Sequence, residues 1–129
     1  MNITIGLTGE IKEKVTVENT AAVVGSGSLS VFATPSMISL MEKASCEALK
    51  DSLDEGSTTV GTLINVEHVS ATPVGMIVTV KSTVTAVDGR KIVFFVEAYD
   101  EAGLIGKGTH ERFVVFSEKF MVKTEAKRK

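Results

Sequence analysis

The sequence predicts an α+β domain in which one long helix packs on an antiparallel sheet of about five strands. Three observations carry this. From Thr34 onward, apolar residues recur every three to four positions, the period of a helix with one buried side. After Gly56 the pattern alternates with a period of two, as in half-buried strands. The chain has 129 residues, one domain's worth, and can bury a core without disulfides or metal.

The helix is expected from Thr34 to near Asp54. Thr34 serves as N-cap and Pro35 as the first helical residue, where its missing N–H is not needed. Gly56 supplies a stop. Met37, Leu40, Met41, Ala44, Ala48 and Leu49 form the apolar side, while Lys43, Glu47, Lys50 and Asp54 form a charged stripe. Cys46 reads as a buried helix cysteine, and Met37, Met41, Met76 and Met121 as core filler. Strands are expected over 12–17, 59–72, 74–87, 91–99 and 106–117, with a Gly/Ser-rich approach to the helix over 23–32. Asp88-Gly89 marks a hairpin, and a further turn lies around 100–103.

A single helix and a single sheet must bury their apolar faces on each other. A twisted sheet of several strands curls around the helix. This arrangement is the hot-dog fold. Such sheets pair edge to edge across a two-fold axis, which covers an exposed edge strand, so a homodimer is expected, with a tetramer as the larger alternative. One domain spans residues 1–129, its core over about 12–117, and the basic tail 123–129 is expected to fray.

Composition narrows the function classes. Apolar residues make up 43% and charged residues 23%, ordinary values for a soluble domain. The net charge of −2 argues against a nucleic-acid or anionic-membrane surface. No apolar run approaches the roughly 20 residues of a membrane span, and no signal-peptide pattern opens the chain. The lone Cys46 excludes an internal disulfide and fits a reducing compartment, so a cytoplasmic location is expected. With one cysteine and two dispersed histidines, no metal site is expected.

Few residues remain that carry chemistry. Glu42 stands mid-helix away from the charged stripe, and its neighbours three and four positions away are Ile38, Ser39, Ser45 and Cys46. A carboxylate so placed is expected to be partly desolvated and usable as a general base; pairing with a lysine is the plain alternative. His68 lies within a strand and shares a face with Val66 and Ser70. Taken alone, a strand histidine is more often structural than catalytic. His110 begins the last strand beside Glu111, and a local ion pair is the simpler reading. The Thr34 hydroxyl is explained by capping, though a hydroxyl at a helix N-terminus also favours developing negative charge. Gly25-Ser26-Gly27 lacks the lysine and preceding strand of a phosphate loop.

These residues fall in a recognisable order. Ala33-Thr34-Pro35, Leu40-Met41-Glu42-Lys43-Ala44, Thr59-Val60-Gly61-Thr62, Glu67-His68, Thr72-Pro73-Val74-Gly75 and Gly106–Phe113 together resemble the hot-dog thioesterases of the fluoroacetyl-CoA thioesterase type. The resemblance runs over about residues 12 to 117. It implies hydrolysis of an acyl-CoA thioester with Thr34, Glu42 and His68 as the catalytic set. It also implies Gly61 near the thioester carbonyl and Arg112 as an active-site arginine on the last strand. Coenzyme A is then part of the substrate, and no separate cofactor is expected. The fluoroacetyl-specialised member carries an aromatic lid before the helix. Here Val23–Val31 contains no aromatic residue, so another small or medium acyl group is expected. The competing expectation is a hot-dog module that binds acyl-CoA without cleaving it, since a fold alone does not give function.

Overall fold

The computed structural model describes residues 1–128. Five strands form one sheet: β1 (Thr8–Lys14), β2 (Ser57–His68), β3 (Ile77–Asp88), β4 (Lys91–Asp100) and β5 (Gly103–Phe116). Their spatial order is β1-β3-β4-β5-β2, and every neighbouring pair is antiparallel. Helix α1 (Ala21–Val24) is a single turn, α2 (Thr34–Leu49) is the long helix, and α3 (Ser117–Glu125) closes the chain.

Helix α2 buries Met37, Leu40, Met41, Ala44, Ser45, Ala48 and Leu49. Opposite them lie Val78, Val80 and Val84 of β3, and Ile92, Phe94, Val96 and Ala98 of β4. Buried Ser45 donates to the Met41 carbonyl and lies 2.8 Å from the Ser82 hydroxyl of β3, which can donate to it, so this buried polar pair is satisfied. Strand β1 passes directly under α2 at Gly9. A Cβ at Gly9 would collide with the Ala44 carbonyl oxygen and the Ala48 nitrogen.

Several boundaries differ from the expected ones. The first strand is Thr8–Lys14 rather than 12–17; Val15 and Thr16 lead out of it into a 3₁₀ turn at Val17–Asn19. The helix ends at Leu49, short of Asp54, and turns fill the gap before Gly56. Strand β2 stops at His68 and β3 begins at Ile77, because Pro73 in between cannot donate to a ladder. Met121 is exposed rather than core filler. Cys46 is also exposed: it stands on the outer face of α2 with Lys43 and Lys50. Lys123–Glu125, expected to fray, are helical within α3, which carries no buried residue; Lys129 lies outside the described residues. The hairpin at Asp88 pairs with Lys91 around Gly89-Arg90, and Gly89 supplies a positive φ of 60°.

The core is lopsided. It lies between α2 and the β1-β3-β4 side, extended by Ile105 and Val114 of β5. Strand β2, on the far edge, is mostly exposed, and Leu63 and Ile64 show 44% and 39% of their surface. Its register against β5 slips by one residue between Gly61 and Leu63. This bulge turns Gly61, Ile64, Val66 and His68 all toward the helix side, although their numbers do not share a parity.

Candidate active site

Two clusters of functional side chains line the edge where α2 meets β2. The first is at mid-helix. Arg112 on β5 is buried, with 8% of its side chain exposed. Its Nε donates to Thr59 Oγ1 at 2.8 Å and its Nη2 to the Thr59 carbonyl at 3.0 Å. The remaining terminal nitrogen, Nη1, faces Glu42 Oε2 at 3.6 Å. The Glu42 side chain is 46% exposed, so burial in the single chain is not what distinguishes it. The fixed cation beside it is.

Gly61 is opposite Arg112 in the β2–β5 ladder. A Cβ there would lie 2.8 Å from Glu42 Oε2, 3.3 Å from Arg112 Nη1 and 3.3 Å from His110 Cε1. The absent side chain is therefore the space into which the carboxylate and guanidinium converge. Glu42, Gly61, His110, Ile38 and the Thr62–Ile64 stretch line a cleft of about 230 Å³.

The second cluster is at the start of α2. Ala33, not Thr34, occupies the N-cap position, and Thr34 is the first helical residue. This corrects the capping role expected of Thr34. Its hydroxyl is free for a different partner, His68 Nδ1 at 2.7 Å. His68 Nε2 is buried with no hydrogen-bond partner. Burial lowers the His68 pKa below the ordinary histidine value, and a backbone hydrogen bond with Ser70 only partly offsets it. The pair lines a second cleft of about 280 Å³ with Phe32, Val31 and Ala71. Eight residues separate Thr34 from Glu42, or about 12 Å along a helix at 1.5 Å per residue. Thr34 thus touches His68, and does not reach Glu42 as an orienting group within one chain.

The sequence model of the fluoroacetyl-CoA-specific thioesterase family matches residues 15–118. The chain belongs to this family. A fluoroacetyl-CoA thioesterase from Streptantibioticus cattleyicolor is 44% identical over 97 residues, covering 75% of this chain and 70% of that protein. The solved structure of the fluoroacetyl-CoA thioesterase FlK matches with a TM-score of 0.92 at 34% identity, covering 100% of both chains. A thioesterase superfamily member from Thermus thermophilus matches with a TM-score of 0.90 at 28% identity, over 97% of this chain and 93% of that one. The hot-dog fold expected from the element order is thereby borne out, and the protein is a thioesterase.

The structure thus divides the five residues singled out by sequence. Glu42, Gly61 and Arg112 meet in one cluster, and Thr34 and His68 in the other. His110, read from sequence as a local partner of Glu111, is instead buried to 1% and sits inside the Glu42 cluster. The signal was available: period-two alternation on β5 that turns Arg112 inward turns His110 inward as well. Among the described residues, no group of three or more metal-ligating side chains comes together, and no helix is long and apolar enough to cross a membrane.

Proposed function

We propose that the protein hydrolyses small or medium acyl-CoA thioesters to the free acid and CoA, with Glu42 as the group that drives the attack. The carrying observation is the Glu42 carboxylate held open to a cleft, beside buried Arg112 and in the space left by Gly61. A thioester already has a good leaving group, so the enzyme's task is to place the attacker and stabilise an oxyanion. Glu42 takes a proton from water as the oxygen adds to the carbonyl, or adds directly to give a transient anhydride that water then opens. The carbonyl oxygen gains negative charge near Gly61. Collapse expels the CoA thiolate, which takes up the proton that Glu42 removed from water, or one from solvent in the anhydride route, while neutral His68 polarises the carbonyl through its ring N–H. Rapid-quench trapping of an acyl-enzyme separates the two routes.

The acting unit in this reading is a homodimer. Within one chain the Thr34–His68 pair and Glu42 are too far apart to share a carbonyl. Strand β2 is a long exposed edge with Leu63 and Ile64 open to solvent, the kind of edge that pairs with another strand. Antiparallel pairing of two β2 edges, centred on Asn65, would set Ile64 opposite the mate's Val66 and, across the bulge, bring one chain's Gly61 alongside the other's His68. Each site then takes Glu42, Gly61 and Arg112 from one copy and Thr34 and His68 from its mate.

The segment before α2 carries Val23, Val24 and Leu29 exposed and no aromatic residue over 23–31. This supports a broader acyl preference than fluoroacetyl. A panel of acyl-CoAs of rising chain length, with fluoroacetyl-CoA among them, tests it by thiol release. A binding module would take up the thioesters without releasing thiol. Glu42→Gln is expected to lower kcat/KM by about 10² to 10⁴, the usual range for removing a general base; wild-type turnover in that variant would sink the assignment.

A further inference from the structure

His110 takes no part in the chemistry above, yet it is the more firmly held of the chain's two imidazoles. Its Nδ1 lies 2.8 Å from the Leu63 carbonyl oxygen. A carbonyl only accepts, so Nδ1 carries a proton and donates it. Its Nε2 lies 3.2 Å from Arg112 Nη1. A guanidinium only donates, so Nε2 must present a lone pair. One species satisfies both contacts, the neutral imidazole protonated at Nδ1. Phe94 of β4 stacks on the ring at 5.9 Å between centroids and 28° between planes, which fixes its orientation.

The atom that His110 holds is the same Nη1 that faces Glu42 Oε2. Thr59 fixes Nε and Nη2, so His110 supplies the remaining acceptor that keeps the guanidinium from turning. Its anchor, the Leu63 carbonyl, lies at the β2 bulge next to Gly61. We propose that His110 is a positioning residue for the Glu42–Arg112 pair, and that it works only as the neutral imidazole protonated at Nδ1. This rests on Glu42 acting on the thioester.

A proton on Nε2 would set two donors and two cations 3.2 Å apart and release Nη1. The charged groups facing the ring are Arg112 on β5, Glu42 on α2 and Glu111 beside it on β5. From β2 and β4 it meets Leu63 and Phe94, which carry no charge. Burial is the main influence lowering its pKa, with Arg112 acting in the same direction against the Leu63 carbonyl, Glu42 and Glu111.

Two substitutions separate the two contacts. The amide oxygen of His110→Gln falls near the Nε2 position and preserves the acceptor for Arg112. The amide nitrogen of His110→Asn falls near Nδ1 and preserves only the bond to Leu63. We expect His110→Gln to keep kcat within about threefold, and His110→Asn to lose about tenfold in kcat at unchanged KM, the scale of one hydrogen bond to a charged group. Equal losses in both variants, or none in His110→Asn, would overturn the inference. A measurement on the unaltered protein stands beside this: ¹⁵N spectra of its two histidines. One imidazole should be neutral with its proton on Nδ1 across the active pH range, and should disappear in His110→Gln. A proton on Nε2, or an imidazolium at pH 7, refutes it even if neither variant folds. Failure of the catalytic reading is told apart by Glu42→Gln, which stays inactive if only the His110 inference is wrong.

Discussion

The two ends of the candidate site are built in opposite ways. At mid-helix, Arg112 is buried and tied to Thr59 through two nitrogens, to His110 through a third, and to a half-exposed carboxylate. At the helix start, Thr34 and His68 share one hydrogen bond, and the buried Nε2 of His68 has no partner. The guanidinium is braced from two strands. The imidazole of His68 keeps one side-chain hydrogen bond and one ring nitrogen without a partner. In the proposed reading, the difference separates fixed electrostatics around Arg112 from a less constrained imidazole at His68, at two points along the same 16-residue helix.

The contrast can be broken most severely at the edge that would join the two ends. Ile64→Lys on β2 places a charge where two copies would meet. Because Ile64 is 39% exposed in the single chain, the monomer should keep its fold. Sedimentation should show a monomer, and thiol release should fall on the order of 100-fold, as when positioned groups are separated. An active monomer would mean that one chain suffices.

Next in size is Gly61→Ala, which forces Glu42 Oε2 and Arg112 Nη1 to yield. We expect kcat to fall about tenfold or more, as small displacements of reacting groups do, with a melting temperature near wild type. Thr34→Val should lose about five- to tenfold in kcat, the worth of one hydrogen bond, while Thr34→Ser should recover it. If Thr34→Val is as active as wild type, the hydroxyl is only structural.

The smallest expected effect is on stability. His68 and His110 both have folded pKa values below the ordinary histidine value, chiefly through burial. Below about pH 6.5 the unfolded chain therefore binds protons that the folded chain refuses. Stability should be full above that pH and decline as pH falls below it. Melting temperatures at pH 7 and pH 5 test this, and the decline should be shallower in His110→Gln. A melting temperature that rises toward pH 5 would contradict it.

How far the sequence reaches is visible in single residues. The buried side of α2 was legible because its apolar period is unbroken, and the meander was legible from alternation and the Asp88-Gly89 turn. Thr34 was misread as the cap because Thr-Pro fits equally well with the helix starting one residue later; only the His68 contact decides where the hydroxyl points. Glu42 was singled out for an expected desolvation that its 46% exposure does not show; the neighbour that marks it, Arg112, is 70 residues away in the chain. The β2 bulge has no local signature, so no count of alternation places Gly61 and His68 on one face. Cys46 was expected to be buried because composition ranks cysteine among the most buried types, whereas Ser45, one helical step of about 100° away, takes the inward position.

Gly9 is far from any of this chemistry, yet it governs where that chemistry sits. At that point α2 rests on the backbone of β1 with no side chain between them. The depth of the helix is thus gauged by main-chain atoms, which do not change when core residues are exchanged. Valines and leucines elsewhere in the interface can drift in identity while Thr34 and Glu42 keep their height above the sheet, so the core is free to vary under a site that is not.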